Sequence, residues 1–167
     1  MPGESRIPLF LTAILVAVLL SAAASVHLQT QWDQPFLYAC HRGKILKTVY
    51  SVHDNRREDR RWSFSCGQAP GGAAPHDCLW TGYVNGWDAV MNFVCPRDYL
   101  ITGLQSYHDN RREDRRFKFK CCTQKGYQTY SCSLTPYKNG WDGPLNYAVP
   151  NEQVFVGWAG FHDNHRE

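Results

Sequence analysis

The amino-acid sequence repeats itself every 54 or 55 residues, and this repetition constrains the possible fold more than any other feature. Two different markers recur at this spacing. The Trp-Asp pairs begin at Trp32, Trp87 and Trp141. The His-Asp-Asn triplets begin at His53, His108 and His162. Because two markers share one period, we interpret the mature chain as three tandem units, 25–77, 78–131 and 132–167, the last of them truncated.

Each unit has the composition of short β-strands joined by turns. Aromatic and β-branched runs alternate with turn residues, and the Asn-Gly pairs at 85–86 and 139–140 are typical of tight turns. Outside the N-terminal apolar run, no segment shows an apolar helical period long enough for a substantial helix. About four strands in each unit predict an all-β, pseudo-threefold antiparallel assembly, either prism-like or trefoil-like. Because successive side chains of a strand point to opposite faces, we expect one set to face inward: Phe36, Tyr38, Trp62, Phe64, Met91, Phe93, Phe117, Phe119, Leu145 and Tyr147.

Residues 1–24 have the layout of a secretory signal peptide. Arg6 precedes an apolar run from Leu9 to Leu20, and small residues with an Ala-x-Ala pattern follow at 22–24. The apolar run is shorter than the roughly 20 residues that a membrane span needs. We therefore expect cleavage, secretion and no membrane span in the mature chain, with an uncleaved signal anchor as the alternative.

All seven cysteines lie in the mature chain, which in a secreted protein indicates a disulfide framework. Strand alternation puts Cys40 and Cys66 of unit one on inward faces. In unit two Cys95 and Cys121 occupy the matching places, and both pairs are 26 residues apart. We therefore expect the bridges Cys40–Cys66 and Cys95–Cys121. Unit three should lack such a bridge, because Val149 replaces its first cysteine.

The remaining cysteines follow a second rule. Cys122 is adjacent to Cys121, points to the opposite face and is expected to pair with Cys78. The competing arrangement is Cys95–Cys122 with Cys78–Cys121. Cys132 is then left unpaired. By the pattern of unit two its partner would lie about 14 residues after His162, so we expect the chain to be a fragment.

The most unusual segment is the string HDNRREDRR, which occurs at 53–61 and again at 108–116, with HDNHRE at 162–167. It interleaves four arginines with three acids and one histidine, so its charges mostly cancel. One interpretation is structural: a solvated loop and strand start that opposes edge-to-edge pairing, whose exposed ion pairs are each worth about 0–1 kcal/mol. The other interpretation is that some arginines bind sulfate or carboxylate groups, which fit the planar guanidinium fork.

Alternation points to one strand as the better anion site. Arg116, Lys118 and Lys120 share the outward face of the last strand of unit two, where unit one has Ser63 and Ser65. We therefore predict that this basic stripe binds sulfated glycans. The other candidate glycan contacts are the remaining arginines of the two strings: Arg111, Arg112, Arg115, Arg56, Arg57, Arg60 and Arg61.

Other kinds of site are poorly supported by the sequence. One His and one Asp from a unit are too few ligands for a closed metal site, and Asn and Asp also favour turns, so we expect no metal and no cofactor. We find no nucleophile with supporting residues and no phosphate-binding loop, and therefore expect no enzyme activity. The interleaved charges are not a plain polycation, and we expect no nucleic-acid partner.

The run WDAVMNF at 87–93, the cysteine at 95 and YHDNRREDRRFKFKCC at 107–122 together resemble the dermatopontin family. The form HDNRREDRRW at 53–62 is most similar to its invertebrate hemagglutinin/amebocyte aggregation factor branch. The resemblance covers nearly all of the dermatopontin-like domain, residues 25–167. It departs from the family pattern where Phe117 replaces the signature tryptophan and where unit three lacks its DRRW end.

The resemblance implies a secreted, non-enzymatic, disulfide-bonded protein of the extracellular matrix. The partners it implies are sulfated glycosaminoglycans or proteoglycans, collagen and cell-surface receptors, with possible self-association. The roles it implies are cell adhesion and collagen fibril organisation. A lectin-like hemagglutinin that aggregates cells in humoral defence is the alternative.

Overall fold

The structure is a computed structural model, and it describes residues 27–163. The predicted signal peptide and residues 164–167 lie outside the described part. The described residues form nine strands and one short 3-10 helix, Pro70–Gly72. The strands are β1 Phe36–Ala39, β2 Lys44–Asp54, β3 Asp59–Gln68, β4 Pro75–Trp80, β5 Met91–Val94, β6 Leu100–Asp109, β7 Asp114–Gln124, β8 Leu145–Ala148 and β9 Gly157–Gly160. None of the helical structure in this part is long and apolar enough to cross a membrane.

Two long antiparallel hairpins, β2–β3 and β6–β7, dominate the fold, and the charged string forms the turn of each. Asp54 faces Asp59 in the first hairpin, and Asp109 faces Asp114 in the second. The carboxylates of Asp54 and Asp109 each accept the backbone N–H two residues ahead, at 2.9 Å. This is the usual way in which aspartate closes a turn.

The short strands connect one repeat unit to another. β1 pairs with β6, β5 pairs with β9, and β8 returns to pair with β2, all antiparallel. The all-β, antiparallel prediction is confirmed. The described residues contain no counterpart of β3 and β7 beside β9, and the pseudo-threefold arrangement stays a prediction.

Among the described residues, β1 to β3 lie in unit one, β5 to β7 lie in unit two, β4 spans the expected boundary between them, and β8 and β9 lie in unit three. In unit one, side chains bind the outer edge of β3. Gln29 and Thr30 accept the backbone N–H groups of Phe64 and Trp62 at 2.9 and 2.8 Å. Together with the hydrogen bonds from the backbone N–H groups of Gln29 and Thr30 to the carbonyl oxygen of Trp62, they satisfy part of the outer edge of β3.

The core is built from the inward faces that alternation predicts. Trp62 and Phe64 of β3 and Phe117 and Phe119 of β7 are all buried. The ring of Phe119 stacks on Phe93 with a centroid distance of 4.9 Å. Burying each aromatic side chain of this kind contributes about 1.5–3 kcal/mol, so the two hairpins supply most of the apolar stabilisation.

Three disulfides fasten the hairpins to their neighbours. They are Cys40–Cys66, Cys95–Cys121 and Cys78–Cys122, with Cα–Cα distances of 5.8, 5.9 and 4.1 Å. These are the expected pairs, and the competing arrangement is not formed. Cys132 is exposed and forms no bridge in the described part of the chain.

We predict that the double substitution Cys40→Ala/Cys66→Ala lowers the free energy of unfolding by about 3–4 kcal/mol, because it reopens a 26-residue loop in the unfolded chain. Urea denaturation measures the change. Cys132→Ala is the control and should change stability by less than about 0.5 kcal/mol, as is usual at exposed positions. Equal losses in the two variants would contradict the assigned pairing.

Candidate functional site

The centre of the site is a buried ion pair between the two copies of the charged string. The side chain of Arg115 is 6% exposed and that of Asp59 is 0% exposed. Nε and Nη2 of Arg115 donate hydrogen bonds to Oδ1 and Oδ2 of Asp59, at 2.5 and 2.7 Å. This bidentate, charge-assisted geometry is the strongest form of the interaction. Because the two residues belong to different hairpins, the pair joins unit one to unit two.

Further groups complete the shell of this ion pair. The backbone N–H of Asp33 donates to Oδ2 of Asp59 at 2.8 Å, and Arg115 donates to the carbonyl oxygen of Gln34 at 3.3 Å. His108 places Nδ1 3.4 Å from Asp59 Oδ1 and Nε2 3.7 Å from Asp33 Oδ1. The Trp-Asp, His-Asp-Asn and Asp-Arg-Arg markers therefore meet at one point. We call this cluster the Asp59 site.

Parts of the same arrangement occur elsewhere between units. At a second place, which we call the Asp114 site, the backbone N–H of Asp88 donates to Oδ2 of Asp114 at 2.9 Å. Nε2 of His162 lies 3.7 Å from Asp88 Oδ1. At a third place, which we call the Asp142 site, Nε2 of His53 lies 3.6 Å from Asp142 Oδ1. The three His–Asp pairs link unit two to unit one, unit three to unit two, and unit one to unit three.

Burial is the largest cause of the pKa shifts of His108, Arg60 and Asp114, and neighbouring charges modify each shift. Burial lowers the pKa of His108; Asp59, Asp33 and Asp114 oppose this shift, and Arg115 adds to it. Burial also lowers the pKa of Arg60, against the attraction of Asp142 and Asp59.

Burial raises the pKa of the Asp114 carboxyl, although hydrogen bonds from the backbone N–H groups of Asp88 and Arg115 and the charge of His162 oppose this. The carboxylates of Asp59 and Asp114 thus differ in their partners. Asp59 has a guanidinium, whereas Asp114 has only N–H groups and a histidine among the described residues.

The Asp59 site also has the residue types of a metal centre. Ligand atoms of Asp33, Asp59 and His108 lie within 4.8 Å of one another. Both oxygens of Asp59 already bind Arg115, whose fixed positive charge repels a cation. We therefore assign these residues to an ion-pair network and propose no metal there.

The outward side of β7 has a different character. Arg116, Lys118 and Lys120 are half-buried and alternate with the buried residues of the strand. The guanidinium carbon of Arg116 lies 4.1 Å from the ring centroid of Tyr83, and Nζ of Lys118 lies 4.6 Å from it. Arg116 also lies 5.4 Å from the centroid of Trp87. These are cation–π distances.

More aromatic rings continue this surface. Arg112 lies 5.8 Å from the ring centroid of Trp87, which packs edge-on against Tyr107. Trp80 is the direct cross-strand neighbour of Lys120 and is exposed, as are Tyr83 and Tyr107. The basic-aromatic face therefore comprises Arg112, Arg116, Lys118, Lys120, Trp80, Tyr83, Trp87 and Tyr107.

The remaining predicted glycan contacts lie elsewhere. Arg56 and Arg111 are exposed on the hairpin turns. Arg57 is 51% exposed and 3.4 Å from Asp33. Arg61 donates from Nε to the carbonyl oxygen of Thr30 at 2.8 Å. Arg60 donates to the carbonyl oxygen of Gly143 at 3.0 Å and is only partly accessible.

The guanidinium of Arg115 is buried, so the prediction that it contacts a glycan is wrong. Strand alternation in the sequence already indicates this. Strict alternation places Arg115 on the same face as Phe117 and Phe119, which is the inward face. Asp59, which binds Arg115, and Asp33, whose backbone N–H binds Asp59, were also missed as functional residues. Their spacing repeats with the other markers, but the contact between hairpins is long-range and has no local signature.

The fold and the site define a disulfide-bonded, all-β protein with a buried inter-repeat ion-pair network and an exposed basic-aromatic face. The family model described as Dermatopontin matches residues 30–167. The chain belongs to the dermatopontin family, as the sequence predicts.

Three curated relatives extend this result. The hemagglutinin/amebocyte aggregation factor of Limulus polyphemus is 41% identical over 93% of this chain and 90% of its own length. Millepora cytotoxin-1 of Millepora dichotoma is 36% identical over 82% of this chain and 60% of its own length. Dermatopontin of Biomphalaria glabrata is 35% identical, with 78% and 86% covered. No solved structure matches the chain.

We predict that Arg115→Gln lowers the free energy of unfolding by about 3–5 kcal/mol, because it leaves the buried Asp59 carboxylate without a counter-charge. Arg57→Gln is the matched control within the other copy of the string, and it should cost about 0–1 kcal/mol as an exposed pair. Urea denaturation at neutral pH measures both. Losses of equal size would show that Arg115 is not part of a buried network.

We also predict a pH dependence that comes from His108. Its pKa is lower in the folded than in the unfolded chain, so the unfolded chain takes up the proton first as the pH falls below about 6.5. Stability should therefore decrease from pH 7 towards pH 5, and His108→Gln should make this decrease shallower. Urea midpoints over this range test it. An equal or steeper decrease in the variant would contradict a histidine that is held neutral.

Proposed function

We propose that the protein is a secreted, non-enzymatic adhesion protein of the extracellular matrix that binds sulfated glycans through its basic-aromatic face. Membership of the dermatopontin family and the disulfide-rich fold are consistent with an extracellular protein. The single observation that carries the proposal is the arrangement of Arg116 and Lys118 over one ring, Tyr83. The resemblance to the family also makes collagen, cell-surface receptors and self-association proposed partners.

The arrangement of these cations favours an anionic ligand. Arg116 and Lys118 share the ring of Tyr83, so two positive charges are held near each other on a half-buried surface. Their mutual repulsion is relieved when a sulfate lies between them, and this makes the binding of a polyanion favourable. The guanidinium fork of Arg116 suits two sulfate oxygens, and exposed rings such as Trp80 offer apolar faces to a sugar.

The equivalent strand of unit one supports the choice of unit two. Ser63 and Ser65 of β3 stand where β7 has Lys118 and Lys120. Arg61, the counterpart of Arg116, already donates to the carbonyl oxygen of Thr30. The outward face of β3 therefore carries a single cation whose guanidinium is partly engaged within the protein.

We predict that Arg116→Ser/Lys118→Ser/Lys120→Ser elutes from a heparin column at clearly lower salt, with about tenfold or greater loss of affinity, since the loss of even one charge-assisted contact of about 1.5–3 kcal/mol corresponds to that factor. The control is Arg56→Ser/Arg57→Ser/Arg111→Ser, which removes the same charge from exposed turns. Its elution should change much less. Equal shifts would mean that net charge, and not this face, determines binding.

A lectin-like agglutinin is the second candidate function. It is favoured by the 41% identity to a protein named hemagglutinin/amebocyte aggregation factor. Red-cell agglutination with competition by simple sugars separates the two functions. Agglutination that neutral sugars abolish and heparin leaves unchanged would favour the agglutinin and contradict the sulfated-glycan proposal.

A further inference from the structure

The N-terminal end of the described chain is tethered to the outer edge of β3. The backbone N–H groups of Gln29 and Thr30 donate to the carbonyl oxygen of Trp62 at 2.8 and 3.2 Å. The side chain of Gln29 binds both backbone groups of Phe64. Its Oε1 accepts the N–H at 2.9 Å, and its Nε2 donates to the carbonyl oxygen at 3.1 Å. In the part of the chain that the structure describes, the bonds to this edge thus begin at Gln29.

Unit two holds the matching edge of β7 in a different way. There the bonds to Phe119 come from Thr81, whose backbone N–H donates to the carbonyl oxygen of Phe119 at 2.9 Å. Oγ1 of Thr81 accepts the N–H of Phe119, also at 2.9 Å. The residue of unit one that lies 55 positions before Thr81 is Val26. Because Gln29 already binds both backbone groups of Phe64, the edge of β3 does not need the N–H of Val26.

His27 is exposed and lies just before this tether. Within residues 27–163, neither its ring nor its backbone N–H takes part in a hydrogen bond or an ion pair. The outward face of β3 carries no ammonium group, because Ser63 and Ser65 stand where β7 has Lys118 and Lys120. The ring of His27 is therefore available to a cation, which a row of lysines would repel.

The predicted signal cleavage places His27 third in the mature chain. Cleavage after Ala24 leaves Ser25 with a free α-amine, followed by Val26 and His27. Ser25 and Val26 lie outside the described residues. Four nitrogens then belong to three consecutive residues: the amine of Ser25, the backbone nitrogens of Val26 and His27, and Nδ1 of His27. Neither Val26 nor His27 is a proline, so both backbone nitrogens carry a proton that a metal ion can displace.

These four nitrogens match the preference of one kind of metal ion. An ion that binds all four closes small chelate rings, and the planar peptide groups within the rings bring the donors into one plane. Nδ1 of His27 is the ring nitrogen nearer to the backbone, so it completes the plane where Nε2 cannot reach. Square-planar nitrogen donors favour Cu(II) or Ni(II), whereas Zn(II) takes tetrahedral sites.

We propose that cleavage after Ala24 creates a Cu(II) site from Ser25, Val26 and His27. Binding is a ligand exchange without electron transfer: the ion takes the place of the amide protons of Val26 and His27, and these protons pass to the solvent. The expectation of no metal came from the His-Asp-Asn triplets, and this site uses none of their residues. It depends on the predicted cleavage and is independent of glycan binding by the basic-aromatic face.

Titration of the full secreted chain with copper sulfate at neutral pH tests the proposal, together with N-terminal sequencing of the same sample. We expect the sequence to begin at Ser25. One equivalent of Cu(II) should bind, with release of protons and with the visible absorption band of a square-planar site of four nitrogens. An equal concentration of Zn(II) should not displace it. A mature chain that begins at another residue, or one that binds no Cu(II), would overturn the proposal.

Variants of the secreted chain, each sequenced to begin at Ser25, locate the site. His27→Gln removes the ring donor and Val26→Pro removes an amide proton, so each should abolish the absorption band. His41→Gln is the matched control, because His41 is also exposed but lies outside the proposed site. It should bind Cu(II) as the unchanged chain does. A band that persists in His27→Gln or Val26→Pro, or that disappears in His41→Gln, would assign the copper to other residues and overturn the proposal.

Discussion

The buried pair of Asp59 and Arg115 is the interaction on which the rest of the structure depends. Asp59 is the first residue of β3 and Arg115 is the second residue of β7, so the pair joins the two long hairpins where their second strands begin. A buried ion pair stabilises a fold only where further bonds offset the lost hydration. Here the backbone N–H of Asp33 and the carbonyl oxygen of Gln34 supply them. The Trp-Asp turn and the charged string therefore act together, and this accounts for their common period.

The strand periodicity of two divides the charged string between two tasks. Arg115 points inward and belongs to the framework, whereas its neighbour Arg116 points outward over Tyr83. The structural interpretation of the charged string thus applies to Arg115, the first arginine after Asp114. Anion binding is proposed only for outward residues. Consecutive arginines in the sequence have different environments because they lie on opposite faces of one strand.

Local sequence patterns predicted much of this fold, but they could not predict the side-chain contacts between units. Alternation correctly turned Trp62 and Phe117 inward and paired Cys40 with Cys66, because the period of a strand is a local property. The same rule applied to Arg115 would have placed it inward. Its partner Asp59 is 56 residues away, and no local pattern specifies that contact. Tyr83 and Trp87 were missed because a loop, not a strand, brings them to the basic stripe.

The central claim is that Asp59 and Arg115 stabilise the fold through each other. A double-mutant cycle with Asp59→Asn, Arg115→Gln and the combined variant, measured by urea denaturation at neutral pH, tests it most directly. The account predicts that the double variant loses less stability than the sum of the single losses. The coupling should be about 2–3 kcal/mol, because removing both partners leaves no unpaired buried charge. Additive losses would contradict the claim.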